Sequence, residues 1–206
     1  MNLFTIFQPY EVTNTYLLHQ DGEKNAVIVD PGRFDLNLLK LVEDHNLYIS
    51  NVLLTHSHIN HTRGIPTLMK IYDAQIYSMK SSVLGFKTNL IKEETTFTLP
   101  GMQVRAIPVP GHSDDSVIYI IENMLFTGDT LMAGYTGQTA GLSDQKSMTA
   151  LIRQKIFGLE GEYLLLPGIT LPPLPPLLVL LRDFPSLNQK VGVAFQIKVG
   201  TLSTCL

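Results

Sequence analysis

The first two thirds of the chain alternates short apolar runs with segments whose apolar residues recur at helical spacing. Apolar runs between turn-forming residues predict strands, and the spacing i, i+3, i+4, i+7 predicts amphipathic helices. Helices are predicted to begin near Asp35, near Ile65 and near Asp144. Strands are predicted over residues 14–19, 26–29, 51–54, 75–77, 96–99, 103–109, 116–121, 124–127 and 163–166. This order predicts an α/β (α+β) fold in which two sheets carry helices on their outer faces.

Composition narrows the range of functions and partners. The 206 residues carry a formal net charge of −3, which argues against a nucleic-acid binder that works through a broad basic surface. The single cysteine, Cys205, cannot form an intramolecular disulfide, so we expect a reducing, cytoplasmic environment. The longest apolar stretch, residues 171–181, is too short and too rich in proline to span a membrane. We therefore expect a small-molecule substrate and no membrane or nucleic-acid partner, and leave the oligomeric state open.

Three of the six histidines, His56, His58 and His61, fall within the polar segment 55–61. Residues i and i+2 of an extended loop point the same way and can bind one cation. A residue at i+5, where the loop turns into a helix, can reach a second cation nearby. Imidazole binds Zn, Fe and Mn alike, so the spacing predicts a metal site without identifying the metal.

Two further residues of ligand type follow predicted strands in glycine-containing turns, where the backbone can approach closely. These are His112 in Pro-Gly-His and Asp129 in Gly-Asp-Thr. A lone loop histidine is usually solvated or hydrogen-bonded, and this is our interpretation of His19 and His45. Asp129 alone could be an ordinary turn aspartate. Together with the histidine cluster, these positions favour metal binding.

These motifs resemble those of the metallo-β-lactamase-fold hydrolases. The family signature is Thr-His-x-His-x-Asp-His, then Pro-Gly-His, Gly-Asp-Thr and a late Pro-Gly-His, and the similarity covers residues 12–168. The glyoxalase II-like branch is the most similar. The resemblance implies an αββα sandwich of two mixed β-sheets flanked by helices, with a dinuclear metal site at one sheet edge. It also implies hydrolysis of a small ester, thioester or lactone by metal-activated hydroxide.

The resemblance assigns a role to each candidate ligand. It implies that His56, His58 and His112 bind the first metal, that His61 binds the second, and that Asp129 bridges the two and takes part in catalysis. One or two Zn²⁺ ions are the expected cofactor, with Fe or Mn as alternatives.

Two positions depart from the family pattern, and both belong to the second metal site. Asn60 stands at the catalytic position where the family has an aspartate. Its neutral amide is a weaker ligand and cannot take a proton from the attacking water. Ile169 stands where the late histidine should be, and it has no donor atom. We therefore expect a degenerate second site and impaired activity.

The composition changes at Gly168. Six of the twelve prolines lie from Pro167 to Pro185, with a spacing that neither a buried helix nor a central strand can hold. A reading-frame shift near codon 168 would explain both this change and the isoleucine at position 169. We expect one metallo-β-lactamase-like domain over residues 1–168 and an atypical Pro/Leu-rich tail over 169–206 that need not be natively folded.

Two other functions stay open at this point. His56, His112 and Asp129 form a two-histidine, one-carboxylate set of the kind that mononuclear non-haem iron sites use, and persulfide dioxygenases have this fold. The chain could also be a catalytically inactive member of the family. Metal content and oxygen uptake separate these alternatives.

Overall fold

The computed structural model describes residues 1–132 and 135–169, and the backbone of one further strand, Leu177–Leu180. The first eight strands are β1 (Asn2–Gln8), β2 (Thr13–His19), β3 (Asn25–Val29), β4 (Tyr48–Leu53), β5 (Gln75–Ser78), β6 (Ser82–Val83), β7 (Phe86–Lys87) and β8 (Asn89–Leu90). The others are β9 (Thr95–Leu99), β10 (Met102–Pro108), β11 (Val117–Ile121), β12 (Met124–Gly128), β13 (Leu131–Met132), β14 (Tyr135–Thr136), β15 (Glu162–Pro167) and β16 (Leu177–Leu180). The helices are α1 (Leu36–Asp44), α2 (Ile59–Thr62), α3 (Ile65–Leu68) and α4 (Leu142–Lys155). None of the helices in these ranges has the length and apolar character that crossing a membrane requires.

Two mixed six-stranded sheets form the centre of the molecule. The first has the order β1-β2-β3-β4-β5-β8, antiparallel from β1 to β3 and parallel from β3 to β8. The second has the order β16-β15-β12-β11-β10-β9, and β12 and β15 are its parallel pair. Parallel neighbours need crossover connections, and α1 and α4 lie in two of them.

Three apolar layers hold the sheets and helices together. Alternate residues of a strand face opposite sides, so Tyr16 of β2 packs between the sheets while Leu17 packs against the outer helices. Leu38 of α1 belongs to that outer layer, and Met148 of α4 packs on the other side against the second sheet. The arrangement is the αββα sandwich that the sequence predicts.

The helix predicted from Ile65 to Tyr72 is shorter in the structure. The α3 helix ends at Leu68, and the separate short helix α2 precedes it. Gly64 divides the two, because its N–H donates to the Pro31 carbonyl at 2.9 Å. The hydrophobic pattern also did not predict β1 or the two-residue strands. The two-residue strands are too short to show a period.

The strand β16 pairs antiparallel with β15 and is an outer strand of the second sheet within the described part of the chain. The residues of β16 follow the proline cluster in the sequence and contain no proline. An outer strand is also the part of a sheet in which proline is best tolerated. Residues 170–176 and 181–206, with Cys205 and most of the predicted atypical tail, lie outside the described residues. The expectation that this tail need not be natively folded stays a prediction.

Candidate metal centre

The candidate ligands gather where strands of both sheets end. The segment with His56 follows β4, the turn with His112 follows β10, and Asp129 follows β12. Strands β12 and β15 are parallel neighbours, so their ends lie side by side, and the Gly168 N–H donates to the Gly128 carbonyl at 2.8 Å. The topology therefore brings together residues that are far apart in sequence.

Three histidines form the first group. Ligand-type nitrogens of His56, His58 and His112 all lie within 4.8 Å of one another. Nε2 of His112 is 3.1 Å from Nδ1 of His58, and its own Nδ1 lies 2.8 Å from the Gln138 carbonyl. A carbonyl only accepts, so Nδ1 of His112 carries the proton and Nε2 is free for a metal.

A hydrogen-bond chain fixes the tautomer of His56. The hydroxyl of Thr55 donates to the Asp30 carboxylate and lies 3.2 Å from Nδ1 of His56. Since that hydroxyl proton is already engaged, Nδ1 of His56 donates to the hydroxyl oxygen. The other ring nitrogen, Nε2, is buried and faces the site unprotonated.

His61 and Asp129 form the second group. The His61 imidazole is fully buried, with Nδ1 3.0 Å from Asp30 Oδ2 and Nε2 3.3 Å from Asp129 Oδ1. The other oxygen of Asp129, Oδ2, lies 3.9 Å from Nε2 of His56 and 3.6 Å from Nε2 of His112. Asp129 thus lies between the two histidine groups, where a bridging ligand would stand. The ligand roles themselves stay predictions.

The sequence analysis did not identify Asp30 as a site residue. This carboxylate accepts the Thr55 N–H at 2.8 Å, the Thr55 hydroxyl at 2.5 Å and the Nδ1 proton of His61 at 3.0 Å. Asp30, His56 and His61 also form a compact group of ligand type. Because its oxygens already accept three hydrogen bonds, Asp30 is suited to orienting His61 rather than to binding a metal. Its sequence signal is an aspartate directly after a predicted strand, which is also a common position for a turn residue.

The electrostatics differ between the two groups. Burial and the neighbouring imidazoles of His61 and His112 lower the pKa of His56, and burial together with His112 lowers the pKa of His58. Burial alone would lower the pKa of His61, but the carboxylates of Asp129 and Asp30 outweigh it and raise the pKa to about 9. His61 is therefore protonated at neutral pH without a metal, and a cation would displace that proton.

The donor atoms fit a divalent cation. Nε2 of His56 is buried and has no hydrogen-bond partner among the described residues, while Nε2 of His61 and Oδ1 of Asp129 meet as a buried ion pair at 3.3 Å. Buried polar atoms are normally satisfied, so Nε2 of His56 calls for a ligand, and a cation can replace the proton between His61 and Asp129. Imidazole and carboxylate are the donors that Zn, Fe and Mn bind in proteins.

The two residues that depart from the family pattern are next in sequence to residues at the second group: Asn60 precedes His61, and Ile169 follows Gly168. A Cβ on Gly168 would stand 2.6 Å from Cε1 of His61 and 2.8 Å from Oδ1 of Asp129, so the backbone touches the site just before Ile169. Ile169 is half-buried and brings only an alkyl group. Asn60 lies in α2, and its backbone carbonyl accepts the Thr13 hydroxyl at 3.2 Å. Its catalytic role stays a prediction.

A cleft of about 430 Å³ opens beside the first group, lined in part by His58, His112 and Lys80. It gives a small substrate access to the exposed face of the histidines. The two histidines outside the cluster contact backbone carbonyls: Nδ1 of His19 lies 3.0 Å from the Gln20 oxygen, and Nδ1 of His45 lies 2.9 Å from the Leu41 oxygen.

Comparisons with known proteins agree on one family. A family model described as the metallo-beta-lactamase superfamily matches residues 9–198. An atrochrysone carboxyl ACP thioesterase from Claviceps purpurea (strain 20.1) is 33% identical over 153 residues, which are 71% of this chain and 49% of that protein. A hydroxyacylglutathione hydrolase from Psychromonas ingrahamii (strain DSM 17664 / CCUG 51855 / 37) is 29% identical over 154 residues, which are 74% of this chain and 59% of that protein.

A structural comparison supports the same fold. The crystal structure of ETHE1 from Myxococcus xanthus matches with a TM-score of 0.77 and 23% identity, covering 86% of this chain and 80% of that chain. The present chain spans about half the length of the curated relatives it matches.

Proposed function

The chain belongs to the metallo-beta-lactamase superfamily, and we propose that it is a metal-dependent hydrolase of a small ester, thioester or lactone. The observation that carries this proposal is the group of three imidazoles, His56, His58 and His112, whose ligand-type nitrogens lie within 4.8 Å of one another beside an open cleft. Two relatives are named as a thioesterase and as a hydroxyacylglutathione hydrolase, which supports hydrolytic chemistry.

We assign one cation to the imidazoles of His56, His58 and His112, and a weaker one to His61 and Asp129. Zn²⁺ is the proposed metal because three imidazoles with an open fourth position are a common catalytic zinc site, and Fe or Mn would fit the same donors. Such a cation, when bound, lowers the pKa of a coordinated water and polarises the scissile carbonyl.

The residues of the chain would position and move protons. Asp30 holds the Nδ1 proton of His61 and the Gln138 carbonyl holds that of His112, so both rings present Nε2 to the site. The buried oxygen Oδ1 of Asp129 lies 3.3 Å from Nε2 of His61, with which it would hold the second cation. The Asn60 amide can orient a water by hydrogen bonding but takes no proton from it. We therefore propose slow hydrolysis compared with a site that has a carboxylate at position 60.

The test measures metal content and hydrolysis on the same purified protein. We expect bound metal and cleavage of at least one member of a panel of small esters, thioesters and lactones, with both lost on adding a chelator. His56→Ala should lose both, because it removes a buried ligand. His45→Ala is the matched control, since that exposed ring makes its hydrogen bond at the end of α1. Metal-loaded protein that cleaves no member of the panel would contradict the proposal and favour an inactive member.

A second candidate is a mononuclear iron dioxygenase of the persulfide type. Both His56 and His112 present Nε2 to the same oxygen of Asp129, at 3.9 and 3.6 Å, as a two-histidine, one-carboxylate site requires. Oxygen uptake by iron-loaded protein with a thiol persulfide, without ester hydrolysis, would favour this candidate.

We further propose that the protein acts in the cytoplasm on a small molecule, without a nucleic-acid or membrane partner. The net charge of −3 and the single cysteine support this setting. Localisation of a tagged chain by cell fractionation tests it, and recovery from an oxidising compartment would contradict it.

A further inference from the structure

The cleft beside the histidines contains a lysine and a buried carboxylate that the metal chemistry does not use. Lys80 and Asp115 both line the cleft together with His58 and His112. Nζ of Lys80 lies 3.9 Å from Oδ2 of Asp115, and the two side chains are 53% and 6% exposed. The ammonium group is therefore open to the cleft, and the carboxylate lies beneath the surface.

The backbone of Lys80 is fixed on both sides. Its N–H donates to the Ser78 hydroxyl at 3.1 Å, and its carbonyl accepts the hydroxyl of Thr88. Ser78 is itself fully buried at the end of β5. The lysine thus projects from a rigid position, which reduces the entropy lost when it binds a ligand.

Asp115 lies in the same turn as His112. The Gly111 N–H donates to the Ser113 carbonyl at 3.1 Å, and the Val117 N–H donates to the Thr55 carbonyl at 2.8 Å, which ties this turn to the histidine segment. Oδ2 of Asp115 is buried and makes no hydrogen bond in the described part of the chain. A distance of 3.9 Å is too long for a hydrogen bond, so Asp115 attracts the Lys80 ammonium without occupying its three N–H donors.

We propose that Lys80 is a specificity-determining residue that binds a carboxylate of the substrate in this cleft. This proposal rests on the hydrolase function proposed above. Among the described residues that line the cleft, Lys80 is the one with an ammonium or guanidinium group, whereas Asp114 and Asp144 are exposed carboxylates. With the buried carboxylate of Asp115, the cleft holds three carboxylates, so an anionic group of a substrate would be repelled there except beside Lys80. Asp115 acts as a positioning residue that holds the ammonium over the cleft.

The experiment compares four thioesters on metal-loaded protein. The first is the N-acetylcysteamine thioester of glutarate, and the second is its neutral methyl ester. The third is the butyryl thioester of 3-mercaptopropionate, which places the carboxylate on the leaving group, and the fourth is the neutral methyl ester of that compound. We expect the wild-type protein to prefer the anionic member of at least one pair, and the pair that shows the preference identifies the side of the substrate that Lys80 binds.

Three variants separate a specific contact from a general effect of charge. Lys80→Met should lower kcat/KM for the preferred anionic thioester about tenfold and leave its neutral partner unchanged, as expected for one lost charge-assisted hydrogen bond. Lys80→Arg should keep most of the preference because the charge remains. Lys87→Met, a change of equal charge on an exposed residue that does not line the cleft, should keep all of it. The preference should also weaken with added salt, since Lys80 is half-exposed.

A binding measurement keeps the proposal testable if hydrolysis is too slow. Glutarate should bind the wild-type protein about tenfold more tightly than its Lys80→Met variant, while the neutral diamide of glutarate should bind both equally. Equal effects of Lys80→Met on anionic and neutral compounds, or no preference of the wild-type protein for the anionic member of either pair, would overturn the role of Lys80. If none of the four thioesters is hydrolysed but glutarate binding still depends on Lys80, the proposed function is wrong and the role of Lys80 stands.

Discussion

Replacing Asp30 by Asn tests how the site prepares His61 for metal binding. In the structure, Asp30 accepts the Nδ1 proton of His61 and leaves Nε2 facing Asp129 at 3.3 Å. An Asn that keeps its oxygen on the Thr55 N–H places its NH₂ group toward His61. Nδ1 of His61 must then accept a hydrogen bond, so the ring keeps its proton on Nε2, the atom that should bind the metal.

The expected cost is large because the site is buried. Substitution of a group that orients a metal-binding histidine typically lowers metal affinity by about 10–100-fold. The same change weakens three hydrogen bonds to a carboxylate that is 1% exposed, so the free energy of unfolding should fall by about 2–4 kcal/mol. Competition of Zn²⁺ with a chelating dye measures the affinity, and imidazole ¹⁵N chemical shifts report the tautomer of His61.

Asp35→Asn is the matched control, because it removes the same charge at the N-cap of α1, where Asn caps equally well. It should change neither the metal affinity nor the tautomer. If the Asp30→Asn variant binds Zn²⁺ as tightly as the wild type, and His61 in the zinc-bound variant still carries its proton on Nδ1, the orienting role of Asp30 is wrong.

Three further predictions concern the second metal site, a strained loop and a surface ion pair. Ile169→His combined with Asn60→Asp should raise the affinity for a second metal at least about tenfold, measured by metal titration, since it restores two ligands; no gain would show that these residues are not the defect. Val12 has a positive φ of +56°, which strains a β-branched residue, and its side chain is 43% exposed. Val12→Gly should therefore relieve strain of about 1 kcal/mol and raise Tm by about 3 °C in a thermal melt. An unchanged or lower Tm would contradict this. A hydrogen bond from Arg105 lowers the pKa of Glu94, so the ion pair contributes stability above the unfolded pKa of about 4.3 and loses it as pH falls through the folded pKa. Because both groups are partly exposed, Glu94→Gln should lower the free energy of unfolding by at most about 1 kcal/mol at pH 7 and leave it unchanged near pH 2. Chemical denaturation at the two pH values measures this, and an equal loss at both would refute the reasoning.

The sequence predicts most of the fold because the larger elements have a clear period. The beginning of α1 near Asp35 follows from that pattern and agrees with the structure, in which Asp35 is the N-cap. The two-residue strands do not follow from it, since two residues show no period. The break between α2 and α3 depends on the contact of Gly64 with Pro31, which is a tertiary contact that no local pattern reports.

Some residues of the candidate site can be predicted from the sequence, and others cannot. Histidines at i and i+2, with further ligand-type residues in turns after strands, can be read along the chain, and the structure brings His56, His58 and His112 together. Asp30 and Lys80 could not be identified from the sequence, because a single aspartate after a strand and a single lysine in a loop are common. Their importance comes from what the fold places beside them, namely His61 for Asp30 and the cleft for Lys80.

The most direct test of the account is the position of a metal in crystals of the protein grown with Zn²⁺. Anomalous scattering at the zinc edge should show a peak about 2.0–2.1 Å from one nitrogen of each of His56, His58 and His112. The same map should show weaker or no scattering between His61 and Asp129, because Asn60 and Ile169 supply no charged or imidazole ligand there. Crystals without a peak at the three histidines, or with full occupancy at His61 and Asp129 alone, would contradict the account.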